Sequence, residues 1–155
     1  MKVSDIAVKF TAYGSETTKI KDILEIWVKE KFNIFLILDE NQKIKGVVTL
    51  YDILKQVIPF YLKLDNLLVE FIDEDFFSKK ELQEVFAKTA KDIMTKTVLT
   101  VKEEDFIIKP LVIMYSKNLD YLPVVTKDNK FTGKIINKAA VETSLLKLAS
   151  NGNSS

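Results

Sequence analysis

An internal repeat is the feature that most constrains how this chain can fold. When the sequence is shifted by 87 residues without gaps, its apolar positions fall on apolar positions. A unit of that size has only a small core, so two copies would most simply bury their sheets against each other. The overlay pairs Asp5 with Asp92, Ile6 with Ile93, Ile20 with Ile107, Leu24 with Leu111, Ile37 with Val124, Leu38 with Val125, Ile44 with Phe131 and Gly46 with Gly133.

Within the first copy, the hydrophobic pattern predicts helix, strand, strand and helix. Apolar residues at helical spacing predict an amphipathic helix over residues 19–31. Short apolar runs at residues 34–38 and 44–49, separated by a polar turn, predict a hairpin. A second helix is expected from Leu50 to about Leu64, with a kink at Pro59.

The repeat also predicts where the copies begin and end. Residues 1–58 form the first copy and residues 89–148 the second. Residues 59–88 are expected to form a helical connector, in which Ser78 begins a helix with Glu81 in its first turn. The polar residues 149–155 are expected to be a disordered tail.

Composition excludes several kinds of chemistry. All 23 basic residues are lysines, and the chain has neither cysteine nor histidine. Disulfides, thiolate nucleophiles, cysteine zinc sites and histidine acid–base catalysis are therefore excluded. No paired-carboxylate or Ser–Lys arrangement has a convincing spacing. The acidic residues 73–75 are typical of a solvated turn, although they could bind a cation weakly. We predict that the protein is not an enzyme and has no metal site.

Charge and hydropathy limit the partners and the location. The net charge of +1 gives no field that would attract nucleic acid. No apolar run is long enough to span a bilayer, and the first residues lack the apolar core of a signal peptide. The sequence therefore predicts a cytoplasmic protein with no membrane or nucleic-acid partner.

Residues 46–52 (GVVTLYD) are the best candidate for a binding site. They are predicted to form the corner where a buried strand turns into a helix. Thr49 suits the N-cap of that helix, and Asp52 falls three residues later in its first turn. The hydroxyl, the carboxylate and the free N–H groups could hold a phosphate and a ribose. They could equally form only a helix cap.

Three motifs in this order resemble the CBS domain pair, also called a Bateman module. The motif at residues 46–52 is similar to that family's GhhTxxD nucleotide-binding motif. Residues 90–95 (AKDIMT) resemble its opening signature, of which residues 3–7 (VSDIA) are a weaker copy. Residues 122–125 (LPVV) resemble its first hairpin strand. The resemblance covers nearly all of the chain except the connector and the tail.

The resemblance implies an α+β fold of tandem β-α-β-β-α CBS repeats that pack sheet to sheet. It implies a regulatory, ligand-sensing module that needs no cofactor and binds AMP, ADP or ATP in clefts between the repeats. A homodimer that acts on a separate, unidentified partner chain would follow. Carried over by position, these roles imply that Asp52 holds the ribose, Thr49 the phosphate, and Val47 lines the pocket. Adenine would be flanked by Thr89, Ile93 and Met94. Leu119, Asp120 and Pro123 would form a further contact segment, and Asn33 stands where some members have a phosphate-binding basic residue.

The second copy departs from the binding motif. Ile136 stands where the overlay expects Thr49, and Ala139 stands where it expects Asp52. Neither side chain can accept a hydrogen bond from ribose. We therefore expect one competent site and one degenerate site. The alternative is a structural dimerisation or interaction module whose sites are vestigial.

Overall fold

The computed structural model of this chain describes residues 1–57 and 79–152. Helices and strands alternate in the mixed α+β order that the sequence predicted. In chain order the elements are α1 (Val3–Ile6), β1 (Val8–Lys9), β2 (Tyr13–Gly14), α2 (Ile20–Glu30), β3 (Ile34–Leu38), β4 (Ile44–Thr49), α3 (Leu50–Val57), α4 (Lys79–Phe86), α5 (Ala90–Ile93), β5 (Val101–Lys102), α6 (Ile108–Lys117), β6 (Tyr121–Val125), β7 (Phe131–Asn137) and α7 (Lys138–Gly152).

The chain forms two compact units. Unit 1 contains residues 1–11, 40–43 and the chain from residue 99 onward, and unit 2 contains residues 12–39 and 44–98. Unit 1 has a four-stranded sheet in the order β1-β7-β6-β5, and unit 2 has a three-stranded sheet in the order β2-β3-β4. In each sheet the central hairpin is antiparallel, and a short strand pairs with it in parallel.

Backbone details confirm the internal duplication. The left-handed residues after α2 and α6, Lys31 and Asn118, are 87 positions apart. The hairpin-turn residues with positive φ, Gln42 and Asn129, have the same separation. The two hairpins also carry a register shift at equivalent places, after Ile37 in one and after Val124 in the other. The copies therefore share their turn geometry as well as their hydrophobic pattern.

The compact units differ from the copies that the sequence predicted, because each copy's opening segment belongs to the other unit. In unit 1, the Val3 amide donates to the Asp105 carbonyl at 2.8 Å. In unit 2, the equivalent bond runs from the Ala90 amide to the Thr18 carbonyl, also at 2.8 Å. Val3 and Ala90 are both fully buried. Each packed unit therefore combines parts of both predicted copies, 1–58 and 89–148.

Each unit has its own buried interior. In unit 2, Phe35 is fully buried on β3, and the nearly buried Trp27 indole donates to the Ile34 carbonyl at 2.9 Å. Helix α4 packs against α2 and α3 in the same unit. The core cluster of unit 1 consists of Val3, Val101, Ile107, Met114, Leu122, Val124, Ile136 and Val141.

The structure tests some of the predicted helix ends. The predicted helix from Leu50 is described as far as Val57, so its extension to Leu64, the kink at Pro59 and the cap at Ser78 lie outside the described residues. Helix α7 continues to Gly152, so the prediction of a disordered tail was wrong for residues 149–152. Once a helix is established, each further residue adds one hydrogen bond. This gain explains why α7 extends into polar residues that do not favour helix. No helix within residues 1–57 or 79–152 is long and apolar enough to cross a bilayer.

Candidate functional site

The corner between β4 and α3 holds a compact hydrogen-bonded group. The Asp52 carboxylate accepts from the Thr49 amide at 2.8 Å and from the Thr49 hydroxyl at 3.0 Å, both through Oδ2. The Asp52 amide donates to the Thr49 hydroxyl at 3.4 Å. This is the reciprocal pattern of a capping box. The capping interpretation of these two residues is therefore confirmed, and any ligand contact would be an additional role.

A second hydroxyl completes the group. The Thr95 hydroxyl donates to Asp52 Oδ1 at 3.0 Å. Thr95 and Val47 also exchange backbone hydrogen bonds, at 2.9 and 2.8 Å, so the chain after α5 runs along β4. The sequence prediction did not include Thr95. The sequence nevertheless contains one indication that Thr95 belongs to this group. In the 87-residue overlay, the counterparts of Thr49, Asp52 and Thr95 are all apolar: Ile136, Ala139 and Val8.

Gly46 permits the approach of this segment. A Cβ atom at this position would lie 2.7 Å from Met94 Sδ and 3.0 Å from the Thr95 carbonyl oxygen. The first contact could be relieved by rotation of a flexible side chain, but the second is with backbone. The absence of a side chain at Gly46 therefore allows Met94 and Thr95 to lie against β4.

The Asp52 carboxylate is almost completely removed from solvent. The residue is 3% exposed, whereas Thr95 is exposed. A carboxylate has about four acceptor positions, and three of them are used by the Thr49 amide and the two hydroxyls. Lys55 Nζ lies 3.7 Å from Asp52 Oδ1 and remains partly exposed. One acceptor position and one partly exposed positive charge are therefore available at the corner.

Unit 2 also contains four further predicted contacts, one from the first copy and three from the second. Thr89 is the N-cap of α5, Ile93 ends that helix, and Met94 is its C-cap. Asn33 is exposed and precedes Ile34, which lies opposite Thr49 in the hairpin. Seven of the ten predicted contact residues therefore belong to one compact unit: Asn33, Val47, Thr49, Asp52, Thr89, Ile93 and Met94.

The predicted contact segment at Leu119, Asp120 and Pro123 belongs to unit 1. The Asp120 carbonyl accepts from the Lys138 amide at 2.9 Å, at the start of α7. Pro123 is buried in β6, opposite Ile135 of β7. These residues therefore flank the corner of the second copy. The overlay explains why this segment lies beside the second corner: Asp120 is the counterpart of Asn33, which precedes the equivalent strand of the first copy.

The second corner is capped differently. The Asn137 side chain accepts from the Ala140 amide at 2.7 Å and caps α7. Ile136 is fully buried in the core of unit 1, whereas Ala139 is exposed. The same strand-to-helix corner therefore forms without the hydroxyl or the carboxylate. This shows that Thr49 and Asp52 are not required to build such a corner.

The short opening helices α1 and α5 are capped by their aspartates. Asp92 accepts from the Thr89 amide at 2.9 Å, and Asp5 accepts from the Lys2 amide at 2.8 Å. Two hydrogen bonds lower the pKa of Asp92 below its usual 3.8: the bond from the Thr89 amide has the larger effect, and the bond from the Thr89 hydroxyl adds to it. Both aspartates therefore have a structural role at the helix N-terminus.

We expect the Asp92 cap to stabilise the protein at neutral pH and to fail in acid. Because its pKa is lower in the folded state, the stabilisation is present above the unfolded-state pKa and is lost as pH falls through the folded-state pKa. The urea midpoint of the wild type should therefore fall more than that of Asp92→Asn between about pH 6 and about pH 3. Asp128→Asn, in the β6–β7 turn, is the control. Parallel pH profiles for wild type and Asp92→Asn would contradict the expectation.

A cavity of about 310 Å³ lies elsewhere in unit 1. Its wall includes Val125, at the end of β6 remote from Tyr121, which lies opposite Asn137. It is therefore at the other end of the sheet from the second corner. Its lining mixes acidic and basic side chains and gives no preference for one ligand charge: Lys102, Glu103, Glu104, Val125, Thr126, Lys127 and Asp128.

The sequence profile of the CBS domain matches residues 3–58 and 90–137, which together make up most of the chain. The chain belongs to the CBS domain family. The two matched ranges correspond to the two copies of the repeat, so the predicted α+β tandem CBS fold is confirmed.

Named relatives include CBS domain-containing proteins and homoserine O-acetyltransferases. The CBS domain-containing protein CBSX1, chloroplastic, of Arabidopsis thaliana is 28% identical over 88% of this chain and 59% of its own length. A homoserine O-acetyltransferase of Methanohalobium evestigatum is 27% identical over 86% of this chain but 22% of its own length. The chain therefore spans about three fifths of the first relative and about a fifth of the second.

Solved CBS pairs share the fold. CBSX2 from Arabidopsis thaliana has a TM-score of 0.70 and 22% identity, and the alignment covers 96% of each chain. CBSX2 has also been solved in complex with AMP. Another CBS domain pair, with a TM-score of 0.66 and 22% identity, was solved with 5′-methylthioadenosine and S-adenosyl-L-methionine; the alignment covers 94% of this chain and 95% of that one. The ligands named for these proteins all contain adenosine.

Proposed function

We propose that this protein is a regulatory CBS module that binds an adenine nucleotide at the β4–α3 corner of unit 2. The observation that carries the proposal is the polar group around Asp52, which the second corner replaces with apolar residues although it builds the same turn. Ribose would contact the Asp52 carboxylate, and phosphate would lie near the Thr49 hydroxyl and the start of α3. The second corner, with Ile136 and Ala139, would remain without ligand.

Charge and neighbouring groups support this assignment. Lys55 can turn from Asp52 toward a phosphate, because its side chain is partly exposed and its contact to the carboxylate is 3.7 Å long. Val47 and Met94 offer apolar surface beside the carboxylate, where adenine would lie. Thr89 and Ile93 would complete the flank from α5, and Asn33 would meet the ligand from the start of β3. AMP, ADP and ATP are the candidate ligands. The complex of CBSX2 with AMP, which has the same fold, supports a ligand of this class.

Titration calorimetry with AMP, ADP and ATP tests the proposal directly. The wild type should bind at least one of them, and Asp52→Asn should weaken binding at least tenfold because it replaces a charged acceptor by an amide. The control is Ala139→Ser, which changes the equivalent exposed position in the second copy and should bind like the wild type. Unchanged binding by Asp52→Asn, or no binding by the wild type, would contradict the proposal.

The proposed regulatory role needs a separate partner chain. A bound nucleotide would favour one packed arrangement of the module over another, and a partner could recognise that difference. We propose that the partner-binding form is a homodimer and that the protein itself is not an enzyme. Light scattering with and without AMP would measure the oligomeric state, and product analysis after incubation with ATP would detect any turnover.

A structural interaction module is the second candidate function. It is favoured by the exposed apolar side chains Ile108, Val112 and Tyr115, which recur at helical spacing on α6 and are 56%, 60% and 58% exposed. The Asp52 carboxylate would then serve only as a cap. A dimer whose melting temperature is unaffected by every adenine nucleotide would favour this function over nucleotide sensing.

A further inference from the structure

We propose that Thr95 determines how strongly, and with which sugar, a ligand can engage the Asp52 carboxylate. In this structure the Thr95 hydroxyl already donates to Asp52 Oδ1, the oxygen that the Thr49 cap leaves free. A ribose hydroxyl would need the same acceptor. The inference rests on the proposed nucleotide site and adds a specificity-determining residue to it.

Thr95 and a ribose would compete for the acceptor positions of the Asp52 carboxylate. Oδ2 accepts from both the amide and the hydroxyl of Thr49, so its capacity is filled by the cap. Oδ1 accepts from Thr95 and has one further position. A ribose offers two adjacent hydroxyls, and only one can bind Oδ1 while Thr95 keeps its bond. The second hydroxyl can donate only if the Thr95 side chain rotates away.

Exposure makes that rotation possible. Thr95 is exposed while Asp52 is 3% exposed, so the hydroxyl can exchange its bond to the carboxylate for a bond to water. The backbone of Thr95 is fixed independently by its two hydrogen bonds with Val47. Rotation about the side-chain bond therefore requires no movement of the segment along β4.

The duplicated sequence provides an independent observation. In unit 1, Val8 occupies the position equivalent to Thr95, Ile136 that of Thr49 and Ala139 that of Asp52. All three polar members of the group are absent where the carboxylate is absent. The Thr95 hydroxyl is therefore matched to the carboxylate and is not a general feature of the opening segment.

The test compares Thr95→Val with Thr95→Ser. Valine has the same shape but cannot donate, so the unliganded carboxylate loses one hydrogen bond that a ribose would restore. AMP should therefore bind Thr95→Val about tenfold more tightly than the wild type. Thr95→Ser keeps the hydroxyl and should bind AMP like the wild type. The matched control is Thr132→Val, which removes a partly buried hydroxyl bond to the Val124 carbonyl in unit 1.

The sugar preference separates competition from a general loss of structure. In Thr95→Val both ribose hydroxyls can donate to Oδ1, so the ratio of AMP affinity to 2′-deoxy-AMP affinity should rise at least threefold above that of the wild type. Equal ratios, or weaker AMP binding by Thr95→Val, would overturn the assignment of Thr95 while the proposed site stands. If the wild type and Thr95→Val both fail to bind AMP, ADP and ATP, the proposed function and this inference fail together.

Discussion

Replacing Gly46 with valine should destabilise unit 2 by about 3 kcal/mol, because overpacking against backbone cannot be relieved by a side-chain rotation. The first added atom would already lie 3.0 Å from the Thr95 carbonyl oxygen, and two further methyl carbons would follow. The segment containing Met94 and Thr95 would be pushed away from β4. Both of its backbone hydrogen bonds with Val47 would then be strained.

Urea unfolding monitored by tryptophan fluorescence measures this effect in the relevant unit. Trp27 is the single tryptophan of the chain and is nearly buried in unit 2. The comparison variant is Gly133→Asn at the equivalent position of the other copy. Gly133 has φ of +80° and open space around its Cα, so asparagine, which tolerates the left-handed region, should cost less than about 1 kcal/mol there.

Gly46→Asn completes the comparison between the two glycines. The same substitution should cost more at Gly46, where space and not φ is limiting, than at Gly133, where the strain comes from the positive φ. If both asparagine variants unfold at the same urea concentration, steric contact with the Thr95 backbone is not the reason for Gly46.

Replacing Asp52 with alanine should cost about 3 kcal/mol of stability even when no nucleotide is present, because three hydrogen-bond donors lose their charged, nearly buried acceptor. The Thr49 amide and hydroxyl would both lose their bonds to Oδ2, and the Thr95 hydroxyl would lose its bond to Oδ1. The exposed Thr95 can turn to water, whereas the partly buried Thr49 groups are less able to do so.

A double-mutant cycle separates these contributions. Asp52→Ala, Thr95→Val and the double variant should show a coupling energy of about 1 kcal/mol between the two side chains. Asp22→Ala in the first turn of α2 is the control, because it removes a carboxylate from an exposed position in the same unit. A cost for Asp52→Ala no larger than that for Asp22→Ala would show that the hydrogen-bonded group contributes little to folding.

These stability effects bear on how the ligand experiments are designed. Asp52→Ala combines a lost cap with a lost ligand contact, so weaker binding by that variant could reflect either. Asp52→Asn keeps one carbonyl oxygen as an acceptor and is the better test of ribose binding. Its urea midpoint should be measured beside its nucleotide affinity, so that the two consequences are reported separately.

Local patterns predicted most of the elements correctly. The apolar runs at Ile34–Leu38 and Ile44–Thr49 gave both strands of the first hairpin with their observed bounds. The apolar spacing from Ile20 gave α2. These patterns succeed because they follow from side-chain periodicity within one element. The end of α7 was missed because helix propagation outweighed the polar composition of residues 149–152.

The sequence by itself determined the duplication, the CBS resemblance and the asymmetry between the two corners, because each is a relation between residue types at fixed separations. Tertiary structure decided that each opening segment joins the other unit, since burial of Val3 and Ala90 depends on which surface accepts them. It also decided that Thr95 reaches the Asp52 carboxylate. That contact joins residues 43 positions apart, and only the folding of the segment onto β4 brings the two side chains together.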